Sequence, residues 1–105
     1  MTPEGRVKEK VKRLLRKHDA YWHCPVQNGM GAPALDFMQV TVGGLVCAIE
    51  CKAGSGTLTA RQRSTVADIR RAGGTVLVVT DQESTIEELE QWLITARLLQ
   101  LGTTS

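Results

Sequence analysis

The chain of 105 residues is 42% hydrophobic and 23% charged with a net charge of +2, which is ordinary for a globular domain and unlike a disordered chain. That length supports one modest core, and with aromatics at only 4% the core must be mostly aliphatic. No apolar run approaches the roughly 20 residues of a membrane span, and the start "MTPEGRVKEKVKRLLRKH" is too charged for the apolar segment of a secretory signal, so a cytoplasmic protein is expected.

Thr2 as N-cap, Pro3 at the first helical position and Glu4 in the first turn predict a helix over about residues 3–17, with Val7, Val11, Leu14 and Leu15 on one face. "AYWHCPV" has strand-like residues and is stopped by Pro25, and "QNGMGAP" reads as a loop. "ALDFMQVTV" and "LVCAIECK" follow as two strands separated by Gly43-Gly44, the mark of a two-residue hairpin with positive φ. The second is apolar on both faces up to Glu50, which predicts a central place in the sheet.

After the loop "AGSGT", Thr59 and Gln62 form a capping box that opens a second helix, with Val66 and Ile69 inward and Gly73-Gly74 as its stop. "TVLVVT" is a further buried strand, and the helix between it and the previous strand predicts a parallel crossover. Ser84 with Glu87 matches a second capping box, and Ile86, Leu89, Leu93 and Ala96 give the last helix an apolar face. The expected order is αβββαβα, a single α/β domain with a mixed sheet flanked by helices and a frayed tail over residues 101–105.

Three cysteines, Cys24, Cys47 and Cys51, lack the spacing of a zinc knuckle or a C-x-x-C redox site. Cys47 and Cys51 read as small core residues, while Cys24 is open. Without such a motif or a cofactor loop, a small redox or metabolic protein is disfavoured. Arg6, Lys8, Lys10, Lys12, Arg13, Arg16 and Lys17 crowd the first helix, and Arg61, Arg63, Arg70 and Arg71 the second. Asp81, Glu83, Glu87, Glu88 and Glu90 lie in the C-terminal third, so the chain is electrically lopsided, as a protein with one polyanion-facing side would be.

Side chains alternate along a strand, so Glu50 and Lys52 project to one side, and pairing outward from Gly43-Gly44 brings Asp36 to the same end. A plain ion pair would explain Glu50 with Lys52. Asp36 leaves the group at a net −1, and Glu4 would bring it to −2 if the first helix packs nearby. A carboxylate withdrawn from water costs several kcal/mol unless a cation offsets it. Two carboxylates, a backbone carbonyl and water are the hard oxygen ligands that Mg²⁺ or Mn²⁺ prefers, and such a cation beside a lysine suits phosphodiester hydrolysis.

Asp36 followed by Glu50-x-Lys52 resembles the Asp…(Asp/Glu)-x-Lys order of the PD-(D/E)XK nuclease superfamily. The wider string "GAPALDFM…GGLVCAIECKAGSGTLTARQ…AGGTVLVVT" is similar to its small stand-alone VRR-NUC branch, known from phages and bacteria. The resemblance implies a restriction-endonuclease-like core, with Asp36, Glu50 and the Cys51 backbone carbonyl as metal ligands and Lys52 as the catalytic lysine. It further implies that Gln62 orients water or a phosphate, and that Glu4 completes the metal site through a second ion or a water. One departure from the family's Pro-Asp pair is the spread "PALD", with Ala34 and Leu35 between Pro33 and Asp36.

Structural readings stand beside these. Glu4 serves as a helix-dipole partner, Gln62 as a capping-box acceptor, and Asp36 as a strand-opening residue. His18 and His23 read as surface or strand residues, and Trp22 and Trp92 as core or interface. Lys8, Lys12, Arg13, Arg16, Arg61 and Arg63 are the candidate nucleic-acid contacts, to backbone rather than base edges. The expectation is a Mg²⁺- or Mn²⁺-dependent, structure-selective DNA endonuclease, a homodimer acting on branched DNA such as a Holliday junction. The alternative is a non-catalytic nucleic-acid binding module with a degenerate nuclease fold.

Overall fold

The structure is a computed structural model that describes residues 1–26 and 34–103. The loop expected at 27–33, Pro33 included, lies outside them, as do Thr104 and Ser105. The element order is α1 (Pro3–Lys17), β1 (Tyr21–His23), β2 (Phe37–Val42), β3 (Leu45–Cys51), α2 (Ala60–Arg71), β4 (Thr75–Val79) and α3 (Glu83–Thr103). The four strands form one mixed sheet in the order β1-β2-β3-β4, antiparallel except for the parallel β3–β4 pair, so the expected αβββαβα architecture is observed.

Helices cover both faces. Val7, Val11 and Leu15 of α1 and Leu89, Leu93 and Ala96 of α3 pack on Phe37, Val42, Cys47, Ile49, Cys51 and Val79. Val66 of α2 packs on the other face against Leu35, Ala48 and Val76. Alternation along β3 divides its side chains between these layers, and all five residues from Cys47 to Cys51 are buried, as a central strand requires. Cys47 and Cys51 are core residues whose thiols burial pushes up, that of Cys47 to about 12.

The sequence signals at element ends act as their chemistry dictates. Gly43 and Gly44 turn with φ of 62° and 83°, and a Cβ at Gly43 would come within 2.2 Å of the Ala96 carbonyl oxygen. At the end of α2, the Gly74 N–H donates to the Ile69 carbonyl and the Gly73 N–H to that of Arg70, a Schellman closure with Gly73 at φ 91°. The same pair of bonds ends α1, from Ala20 to Leu15 and from Asp19 to Arg16.

Asp19 holds a left-handed φ of 54° there, the one non-glycine case among the described residues.

Three details differ from the sequence reading. The Ser84–Glu87 capping box is not formed, because α3 already starts at Glu83. Its first turn is instead tied by the Thr85 hydroxyl, which accepts from the Thr80 N–H and donates to the Gln82 carbonyl. α3 also continues through residue 103, into the expected tail. And α3 packs beside α1 on one face of the sheet, joined by Lys17 to Glu90, so the acidic and basic segments that are separate in sequence are neighbours in space.

β2 carries an irregularity that alternation alone does not reveal. Phe37 pairs with Ile49 and Val40 with Cys47, so three steps on β2 match two on β3. The extra residue is a bulge that lets Phe37 and Val40 face the same core despite their odd spacing. It also sets which side Asp36 faces.

Candidate functional site

β3 outruns its antiparallel neighbour. At its end Cys51 is still paired with Val79 on one side, whereas ladder pairing with β2 stops at Phe37. Beyond that point two carboxylates replace the missing ladder. The Asp36 N–H donates to Glu50 Oε1 at 3.0 Å, and the Cys51 N–H donates to Asp36 Oδ2 at 2.9 Å. Asp36 is therefore more than a strand opener: each carboxylate is aimed by the other strand's backbone.

The remaining members arrive from helices on both faces. Gln62, in the first turn of α2, accepts from the Thr59 N–H through Oε1 and donates from Nε2 to Glu50 Oε2, both at 2.9 Å. The capping-box role and the site role, alternatives in the sequence, are filled by one amide. Lys52 Nζ lies 3.8 Å from both Glu50 Oε2 and Glu4 Oε1, which brings the first turn of α1 to the sheet end. One carboxylate oxygen from each of Glu4, Asp36 and Glu50 lies within 4.8 Å of the others.

These groups line a cavity of about 460 Å³, whose rim also includes Lys8, Lys12, Cys24 and Pro25 and whose apolar floor is Phe37. Lys8 Nζ sits 3.1 Å from Asp36 Oδ1. Three carboxylates are thus contacted by two ammonium groups, Lys8 and Lys52, while Lys12 pairs with Glu9 at 3.6 Å. Burial opposes charge on Lys8, but the hydrogen bond and charge of Asp36, aided by Glu4, outweigh it and raise its pKa.

Glu50 is 2% exposed, and its pKa is pushed up to about 7. Burial is the main cause, reinforced by the charges of Asp36 and Glu4; the Asp36 N–H and Lys52 oppose it without prevailing. A carboxyl poised in this way becomes fully ionised when more positive charge is brought beside it.

The donor set fits a hard divalent cation. All three side chains offer oxygen, and every oxygen engaged above retains a second lone pair. In a strand, the N–H and C=O of one residue point to the same edge, so the Cys51 carbonyl is directed to the side on which its N–H meets Asp36.

The basic candidates divide. Lys8 and Lys12 reach the cavity rim. Arg13 lines a separate depression between α1 and α3, and the Arg16 guanidinium lies 5.6 Å above the Trp22 ring. Arg61 is exposed on the first turn of α2, and Arg63 donates to the Leu58 carbonyl at 2.6 Å, bracing the loop before that helix. Of the histidines, His18 meets Glu90 away from the site and His23 is exposed on β1.

Sequence reasoning placed Lys8 among the nucleic-acid contacts and missed its pairing with Asp36. The helical interval from Glu4 to Lys8 could have suggested it. Nothing in the pattern marked Cys24 and Pro25 as rim residues, since β1 reaches the site only through its pairing with β2. No protein-family model, curated protein or solved structure matches the chain. Among the described residues no helix is long and apolar enough to cross a membrane.

Proposed function

We propose that the chain is a Mg²⁺- or Mn²⁺-dependent endonuclease that hydrolyses phosphodiester bonds in DNA, with a restriction-endonuclease-like core of the PD-(D/E)XK, VRR-NUC type. The observation that carries this reading is the convergence of Glu4, Asp36 and Glu50 within 4.8 Å, beside the Lys52 ammonium. Asp36, Glu50 and the Cys51 carbonyl would hold the cation, and Glu4 would complete its shell directly or through water. Bound there, the cation supplies positive charge against phosphate oxygens and makes water more acidic.

The protein's own groups do the rest. Lys52 donates toward the phosphate or the attacking water, where negative charge builds in the transition state. Gln62 holds Glu50 in one orientation through the 2.9 Å bond, so the carboxylate is fixed before substrate arrives. Lys8 and Lys12 at the rim are placed for backbone phosphates, contacts that carry affinity but no sequence information. A charged cavity of this size suits a phosphate backbone better than a small apolar ligand.

Branched DNA as substrate and a homodimer belong to the same proposal and follow from the resemblance. Leu98, Leu99 and Leu101, each more than half exposed at the end of α3, offer an apolar surface that a second copy would cover.

The test is cleavage of duplex, single-stranded, flap and four-way DNA in Mg²⁺ or Mn²⁺ by the wild type and by Glu50→Ala. The nuclease reading expects Glu50→Ala to bind DNA and to lose metal-dependent cutting. Absence of cleavage from both proteins, with binding retained, would instead support the non-catalytic module.

A further inference from the structure

Helix α1 carries Glu4, Lys8 and Lys12 to the cavity at intervals of about one turn. Glu4 meets Lys52, whereas Lys8 reaches Asp36, whose side chain is only 11% exposed. The two oxygens of Asp36 are used differently. Oδ2 accepts from the Cys51 N–H, an attachment built into the sheet, while Oδ1 meets Lys8 at 3.1 Å through a side chain that is 38% exposed.

The charges in direct contact at this point are those of Glu4, Asp36 and Glu50 against Lys8 and Lys52, a net of −1 with every group ionised, while Lys12 on the same lining is paired with Glu9 at 3.6 Å. A divalent cation among the carboxylates turns the same group to +1. Lys8 then faces a like charge at contact distance instead of an unshared carboxylate oxygen, and the neighbouring Lys12 marks the way out to the rim.

We infer that Lys8 is a resident counter-ion: it occupies Asp36 Oδ1 until a divalent cation displaces it, and its freed ammonium then takes a backbone phosphate of the DNA beside Lys12. This rests on the metal-dependent reading above. It gives Lys8 opposite effects on two ligands, weakening metal binding and strengthening DNA binding. A lysine that merely braces the fold would not divide in that way. The device also keeps Asp36 neutralised and in position while no metal is bound, and it couples metal loading to the exposure of a phosphate-binding group.

Lys8→Met removes the charge and keeps the aliphatic stem. Mn²⁺ would be titrated calorimetrically, without DNA, into wild type, Lys8→Met and Glu50→Ala. The expected result is that Lys8→Met binds Mn²⁺ roughly five- to tenfold more tightly, the gain from losing one charged competitor at a partly exposed site. Binding of a four-way DNA junction in Ca²⁺ should meanwhile weaken, with the dependence of log affinity on log salt shallower by about 0.9, one phosphate contact. Unchanged or weaker Mn²⁺ binding in Lys8→Met overturns the counter-ion role, and an unchanged salt slope overturns the phosphate role. If wild type binds Mn²⁺ and Glu50→Ala does not, such failures concern Lys8 alone. If Glu50→Ala binds Mn²⁺ as well as wild type, or neither binds it, the metal reading itself falls and the inference falls with it.

Discussion

The two ends of α1 each hold a cluster of charge, and they behave oppositely. At the C-terminal end one carboxylate, Glu90, meets Lys17 Nζ at 2.9 Å and His18 Nε2 at 2.6 Å, and those hydrogen bonds hold its carboxyl below the ordinary 4.5. At the N-terminal end three carboxylates share two ammonium groups, and burial pushes Glu50 up to about 7. Both regions contain salt bridges, so the presence of ion pairs does not separate them. What separates them is the balance: the first gives its single carboxylate two side-chain partners and ties α1 to α3, while in the second three carboxylates share two contacting ammonium groups around Glu50, which is buried. A deficit of that kind is what the proposed cation would offset.

The largest expected effect that sharpens this contrast is on chemistry. Lys52→Met should retain Mn²⁺ binding and cut DNA at least about 10²-fold more slowly, as removal of one transition-state donor does. Lys17→Met, at the other cluster, should cut as wild type does. Single-turnover cleavage of both proteins decides it; equal rates for Lys52→Met and wild type would reduce the cavity to a second structural ion-pair cluster.

Next in size is the stability of metal-free Glu50→Gln. Between pH 4.5 and about 7 the folded protein keeps a proton on Glu50 that the unfolded chain has lost. This contribution to stability is therefore full below 4.5 and disappears as the pH rises through 7. Glutamine keeps the shape without the charge, so unfolding free energy at pH 8 should rise by on the order of 2–3 kcal/mol, with little change at pH 4. Urea titrations in a chelator measure it, and no gain at pH 8 would mean that Glu50 carries no deficit.

The smallest effect has the reverse sign. Glu90, with its lowered pKa, contributes above 4.5 and loses that contribution as pH falls below it. Glu90→Gln should therefore cost about 1 kcal/mol or less at pH 7, given its partly exposed position, and nothing at pH 3. Parallel pH profiles for the two variants would erase the distinction between the clusters.

Much of this architecture is legible in local chemistry. The Thr2-Pro3-Glu4 start, the Thr59–Gln62 box, the Gly43-Gly44 turn and the Gly73-Gly74 stop each depend on residues near in sequence, and each is formed as expected. Ser84–Glu87 has the same signature and fails, because α3, tied by the Thr80–Thr85 contact, starts two residues earlier than that box would allow. A cap motif states what an end can do, and competition with neighbouring bonds decides what it does.

The candidate site divides along the same line. Strand alternation and the hairpin put Asp36, Glu50 and Lys52 near one another before any coordinates. The expectation of one basic helix face does not survive folding as a unit: Arg16 stands over Trp22 and Arg13 turns toward α3, which leaves Lys8 and Lys12 at the rim.

By itself the sequence determined the elements, their order and the end of the sheet at which charge collects, since turns, caps and periodicity act over a few residues. Only the tertiary structure decided that a bulge in β2 turns Asp36 toward Glu50, that Lys8 closes on Asp36, and that α1 and α3 share a face. Those outcomes depend on which surfaces meet across the sheet and on how much water remains between them. The apolar run of β3 foretells a buried strand, but the packing of both faces sets how completely Glu50 is withdrawn from water, and that burial is what makes its charge costly.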